Sequence, residues 1–285
     1  MIESLNSGLS GLQAFQNDLN IIGNNVANSN TVGYKSSRAD FSDTLSQTII
    51  GAGYGSASAG LVGQQVGSGV ATAEVQTIFS AGTLSQTGVS SDLAVSNGSG
   101  FFMVKDPTSG LSYVTQAGDF TVDSQGFLVT SNGCRVQGNP TAAGAPVTPS
   151  DIQINATGAP SSATTTVVSG YNIAANGTIT VTLADGTSFV RGQVYLQNFN
   201  NPQALVNQGG NLYTVPASAG ATTAGGPAGG QSGTGNIVQG SLEMSNVDLS
   251  AEFAQLITAQ QGFEANSKVV TTSNEILQTI TGLIR

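Results

Sequence analysis

The sequence predicts an α+β fold. Long helices at the two ends form a coiled-coil-like inner domain, and Gly-rich linkers join them to a mainly β middle domain. Three observations predict this. Apolar residues recur with a period near 3.5 at both ends, short alternating runs separated by turn pairs fill the middle, and glycine-rich stretches flank that middle.

At the N-terminal end, Leu5, Leu12, Leu19 and Val26 are seven residues apart, and Leu9, Phe15 and Ile22 fill the adjacent stripe. This is a helical period over the first 28 or so residues. Gly8, Gly11 and Gly23 weaken the helix by about 1 kcal/mol each relative to alanine. Asn24, Asn25, Asn28 and Asn30 end it before Gly33 and Tyr34, because asparagine tolerates left-handed backbone and bonds local peptide groups. Two readings of these amides stay open: a helix end and turn, or a cluster that hydrogen-bonds neighbouring subunits.

The C-terminal end carries a longer seam. Leu249, Leu256, Phe263, Val270, Leu277 and Ile284 repeat every seven residues, and Phe253, Ile257, Val269, Ile276, Ile280 and Leu283 broaden the face. Ser245 and Asp248 offer capping oxygens at its start. Two such helices can pair with each other, but the second stripe is too broad for one partner to cover. The remaining partner is another copy of the chain, and contacts that do not close on themselves give helical filaments.

Between the helices, Phe101–Val104, Tyr113–Thr115, Phe120–Val122, Phe127–Thr130, Arg135–Gln137, Ile179–Leu183 and Ser188–Leu196 read as strands. Ser131-Asn132-Gly133 and Asp185-Gly186 read as turns. Residues 50–69 and 216–236 are rich in small residues and read as linkers. The resulting division is 1–33 plus 242–285 as the terminal helical domain, 34–75 plus 216–241 as the extended link, and 76–215 as the β-rich outer domain. A variable insertion is expected near 141–178.

Composition narrows the function. Charged residues make up 8% of the chain, against about 25% in an ordinary soluble domain, and a surface of amides and hydroxyls is cheaper to desolvate against another subunit. Net charge is −9 with seven Lys and Arg in total, so no nucleic-acid partner is expected. The chain has no histidine, which removes the usual general base and the commonest metal ligand. No catalytic, metal-binding or cofactor-binding residue is expected, and no cofactor. Asp119 and Asp123 read as solvated carboxylates beside a turn, and Cys134 as an inert strand residue. No apolar run approaches the roughly 20 residues that span a bilayer, so no membrane insertion is expected. Met1-Ile2-Glu3-Ser4 lacks the basic and apolar regions of a cleaved signal peptide.

Two strings at opposite ends carry a resemblance. Ser7-Gly8-Leu9-Ser10-Gly11-Leu12 with Gly23-Asn24-Asn25-Val26-Ala27-Asn28-Ser29-Asn30-Thr31-Val32-Gly33-Tyr34-Lys35 resembles the N-terminal signature of flagellar rod and hook proteins. Gly240-Ser241-Leu242-Glu243-Met244-Ser245-Asn246-Val247-Asp248-Leu249 resembles its C-terminal counterpart. The middle is similar in outline, from Ser91-Asp92-Leu93-Ala94-Val95 and Gly100-Phe101-Phe102-Met103-Val104 onward. The resemblance implies export through the flagellar type III apparatus without cleavage, terminal helices lining the channel of a tube, and a β domain outside it. It implies as partners a homopolymer of the chain, the rod and hook–filament junction proteins, the hook cap and the export apparatus. Ser10-Gly11-Leu12, Ser36–Asp43 and Ser245–Ser250 look hook-like, so the expected role is a short hook subunit of the extracellular flagellum that transmits torque from basal body to filament. A distal-rod subunit is the alternative, and a secreted β-rich adhesin is a second one.

Overall fold

The computed structural model describes residues 2–50, 64–96, 100–140, 149–161, 163–221 and 234–283. Ile284 and the larger parts of both Gly-rich stretches lie outside the described residues. Two compact units emerge: 1–27 with 37–77 and 248–285, and 28–36 with 78–247.

The first unit is built on two helices, α1 (Ile2–Ala27) and α2 (Leu249–Leu283). Asp248 caps α2: its Oδ1 accepts the amides of Ser250 at 2.9 Å and Ala251 at 3.3 Å, satisfying donors that the helix start leaves open. Contacts at both ends fix an antiparallel pairing. Ser4 meets Ser273, and Asn25 donates to Glu252. Two hairpin segments complete the unit. β1 (Ser37–Asp43) runs antiparallel to β4 (Val70–Thr77), with a bulge at Asp40/Phe41, and β2 (Ser46–Ile50) pairs with β3 (Gln64–Gly67). Phe15 of α1 packs on Phe41 of β1 with ring centroids 6.1 Å apart, and the Ser10 hydroxyl accepts the Val70 amide at 3.2 Å.

The expected link 34–75 therefore contains paired strands that belong with the helices. Its alternation is present at Ala39 and Phe41, but it is too short and polar to stand out from the glycine-rich text that follows.

The second unit is the β body. Its strands are β5 (Leu84–Gln86), β6 (Leu93–Ser96), β7 (Phe101–Lys105), β8 (Ser112–Thr115), β9 (Thr121–Val122), β10 (Leu128–Val129), β11 (Arg135–Asn139), β12 (Ser150–Asp151), β13 (Val168–Ile173), β14 (Thr178–Leu183), β15 (Ser188–Val194), β16 (Leu196–Gln197), β17 (Val206–Gly209), β18 (Leu212–Thr214), β19 (Asn236–Gln239) and β20 (Ser241–Glu243). The main sheet runs β13-β14-β15-β11-β7-β8-β18-β17, while β19 pairs with β6 and β20 with β5. Gly186, at φ 84°, turns β14 into β15, where an L side chain would be strained.

Phe102, Leu128, Val136, Ile179, Val194 and Leu196 fill one core. A second, aromatic cluster joins Phe79, Phe101, Phe199 and Tyr213 with centroids 5.4 Å apart. Two stretches read otherwise from the sequence. Ile152, Ile154 and Ile173, inside the expected surface insertion, are buried in the main core. Ile237, inside the expected second link, is 2% exposed in the same core. Ile152 and Ile154 alternate with polar neighbours over too short a run to stand out, and Ile173 and Ile237 stand in text without sustained alternation, so a pattern search passes over their burial.

Candidate assembly site

The helix pair is held by a narrow seam in which small and polar residues interleave with a few larger apolar ones. On α1 it includes Ser4, Gly8, Gly11, Phe15, Ile22 and Asn25; on α2 it includes Glu252, Ala259, Gly262, Asn266, Val270 and Ser273. A β-carbon on Gly8 would stand 3.0 Å from Val270 Cγ2, and one on Gly11 would stand 2.9 Å from Asn266 Cγ. The glycines that read as helix weaknesses are thus points of close approach. A β-carbon on Gly262 would come within 2.5 Å of the Phe15 ring. Gly262→Leu is therefore expected to cost about 1–3 kcal/mol by overpacking, read as a lower melting temperature in the 222 nm helix signal. Unchanged melting would show that the helices do not meet there.

This packing leaves much of the predicted apolar stripe uncovered. Leu5, Leu12, Phe15, Leu19 and Val26 are half-buried, Ile22 is buried and Leu9 is exposed. On α2, Leu256, Val270 and Leu277 are half-buried on the seam side. Leu249, Phe253, Ile257, Phe263 and Ile280 are exposed, as are Val269, Ile276 and Leu283. Phe253 is 50% and Ile257 54% exposed. The row that α1 covers most completely on α2 is Glu252, Ala259 and Ser273, which a search for apolar periodicity cannot find.

The exposed side chains form two groups. At 100° per residue, Leu249, Phe253 and Ile257 lie roughly 100–180° around the helix from Ile276 and Ile280. One group sits near each end of α2, and the two face different ways.

The asparagines divide between tasks. Asn25 is buried. Its Nδ2 donates to Ser37 O at 2.8 Å and to Glu252 Oε1 at 3.0 Å, and its Oδ1 accepts the Ser37 amide at 3.0 Å. Asn28 accepts from the Thr31 hydroxyl at 3.1 Å in the turn, and Asn24 is exposed.

Glu252 Oε2 is buried and has no hydrogen-bond partner among the described residues. Burial pushes this carboxyl up from its ordinary value, against the Asn25 amide, and the charges of Asp18 and Asp248 add to the rise. A carboxyl raised in the folded state keeps its proton where the unfolded chain has lost it. Stability is then undiminished below the unfolded pKa of about 4.3 and falls as pH rises through the folded pKa. Glu252→Gln is expected to flatten this part of the pH–stability curve above pH 4. An identical slope in the variant would assign the dependence to other groups.

In the β unit, the two signature strings meet. Gly33 takes φ 68°, and a β-carbon there would come 2.6 Å from the Ala117 amide nitrogen. Tyr34 is buried beside it. Lys35 Nζ donates to Glu243 Oε1 at 2.7 Å and to Ser80 O at 2.9 Å, with the two charged side chains 0% and 3% exposed. The Gly82 amide donates to the same carboxylate at 2.8 Å. Asn246 accepts the Ser36 amide at 2.8 Å and donates to Ile78 O at 2.8 Å. The strings contain Lys35, Glu243 and Asn246, but nothing in one dimension shows that they touch across more than 200 residues.

Asp123 serves a turn: its Oδ1 accepts the Gln125 and Phe127 amides, each at 2.8 Å. Burial raises the carboxyl of Asp119. Cys134 is buried, its amide donates to Thr130 at 3.1 Å, and burial pushes its thiol up.

Terminal helices that pair antiparallel and keep an exposed apolar face, and a β unit in which both signature strings meet, are the features of a structural protein. Family models agree: "Flagella basal body rod protein" matches residues 5–35, "Flagellar hook protein FlgE/F/G D1 domain" matches 95–181, and "Flagellar basal body rod FlgEFG protein C-terminal" matches 238–283. The chain is 39% identical to the flagellar basal-body rod protein FlgG of Bacillus subtilis, over 100% of both chains. It is 38% identical to that of Buchnera aphidicola from Acyrthosiphon pisum, over 99% of this chain and 100% of the other. The flagellar hook protein FlgE of Borreliella burgdorferi is 44% identical, but over 48% of this chain and 31% of its own length. The chain belongs to the flagellar rod and hook family, a component of the flagellar basal body and axial structure, and the adhesin reading is set aside.

Proposed function

We propose that this chain is a rod subunit of the flagellar basal body, specifically of its distal part, and that it polymerises through the exposed face of α2. The observation that carries the assembly reading is the apolar surface left on a helix already paired with its intramolecular partner. Isolated leucines on a surface are ordinary, but two groups on one helix form a docking face. Because the groups point in different directions, a second copy joins head to tail, and such contacts extend into a helical polymer instead of closing as a dimer.

Rod replaces the hook role expected from the sequence for a reason of length. Rod relatives align from end to end, and the hook relative aligns over about half the chain. The hook-like strings cover a few residues each, in α1, β1 and the approach to α2, and weigh less than an alignment over the whole chain. As a rod subunit, the chain would transmit torque as a shaft, with further copies of itself and adjoining axial proteins as partners. Gold-labelled antibody against this chain should mark the rod of isolated hook–basal bodies. Label along the hook would overturn the rod assignment.

A further inference from the structure

A cleft of about 450 Å³ opens in the helical unit, with Phe15, Asp18, Arg38, Phe41, Thr258 and Ala259 on its walls. Asp18 lies half-buried there and makes no ion pair among the described residues. Arg38, which also lines the cleft, is engaged by Asp40 at 3.1 Å and Gln76 at 3.0 Å. Glu252, also on α2, carries the buried oxygen without a partner. Among the described residues no cation makes an ion pair with either Asp18 or Glu252.

Lys268 is the sole Lys or Arg on α1 and α2, is exposed, and makes no ion pair among the described residues. It stands nine residues beyond Ala259, roughly 180° around the helix and about 14 Å along it. Ala259 is buried midway between Glu252 and Asn266, seven residues from each, and both of these meet α1, so Lys268 projects away from α1 and cannot reach Asp18 of its own chain.

Resting on the assembly reading above, we propose that the cleft beside Asp18 receives Lys268 of a second copy, so that this charge pair sets how neighbouring copies register along the polymer. A pair desolvated between apolar surfaces gives register and rejects misaligned neighbours, because a slipped copy leaves a buried charge unmatched. The rim already supplies the apolar part: Phe41 is exposed beside the cleft, and Phe253 and Ile257 lie exposed on α2, whose Thr258 and Ala259 line it.

Charge reversal in the full-length chain tests this. Asp18→Lys and Lys268→Asp are each expected to lower the yield of sedimentable polymer by about tenfold or more. The double variant D18K/K268D should recover most of the wild-type yield. Circular dichroism confirms that each variant keeps its helices. Should a single variant lose them, the neutral pair Asp18→Asn and Lys268→Gln serves instead, and each should abolish the salt sensitivity of wild-type assembly. Single variants that polymerise like the wild type, or a double variant as defective as the singles, would overturn the proposal while leaving the assembly reading intact. A wild-type chain that forms no polymer under any condition would remove both.

Discussion

Replacing Phe253 and Ile257 together with aspartate is expected to abolish polymerisation while both units stay folded. The two side chains are half or more exposed, so their loss costs the monomer within about 0.5 kcal/mol. In a polymer that buries them, each contributes about 1.5–3 kcal/mol of apolar burial, and aspartate adds the cost of desolvating a charge. The effect therefore multiplies over every contact along the assembly. Sedimentation reads the loss of polymer, and circular dichroism reads the retained helix and sheet. Leu256→Asp is a poorer probe, because Leu256 is half-buried on the seam side of α2 and its loss would mix folding with assembly.

The second large effect belongs to the β unit. Lys35→Ala should cost about 3–5 kcal/mol, the usual penalty for leaving one member of a buried ion pair unmatched. Glu243 would keep the Gly82 amide but lose its cation in a site closed to water. The double variant K35M/E243L should recover much of that stability, since replacing a buried pair with apolar groups of similar size is often neutral. Thermal unfolding of the three proteins checks this. A single variant as stable as the wild type would show that the pair is not buried in solution.

The periodicities in the sequence located both helices, and turn pairs such as Asp185-Gly186 located the hairpins. These signals survive in one dimension because each repeats over many residues or concentrates in two. What stayed hidden depends on one residue at a time. Ala259 and Ser273 lie outside the apolar stripe that the periodicity picks out, yet they are on the buried row of α2, with Ser273 meeting Ser4 of α1. Gly8 and Gly11 read as flaws in helix propensity, yet their missing side chains admit Val270 and Asn266. A propensity scale scores the isolated helix, and a close-packed pair rewards the opposite property. Lys35 and Glu243 both belong to the signature strings, but a contact that spans the chain has no local pattern. The stripe itself was legible. Its division between intramolecular seam and residual surface required knowing which way each residue faces.

Helical reconstruction of the polymer assembled from the wild-type chain bears most directly on the role of α2. Phe253, Ile257, Ile276 and Ile280 should each lie buried between copies, with α1 still antiparallel to α2 inside each subunit. A polymer in which these four side chains remain in solvent, with contacts made by the β unit instead, would contradict assembly through the terminal helices.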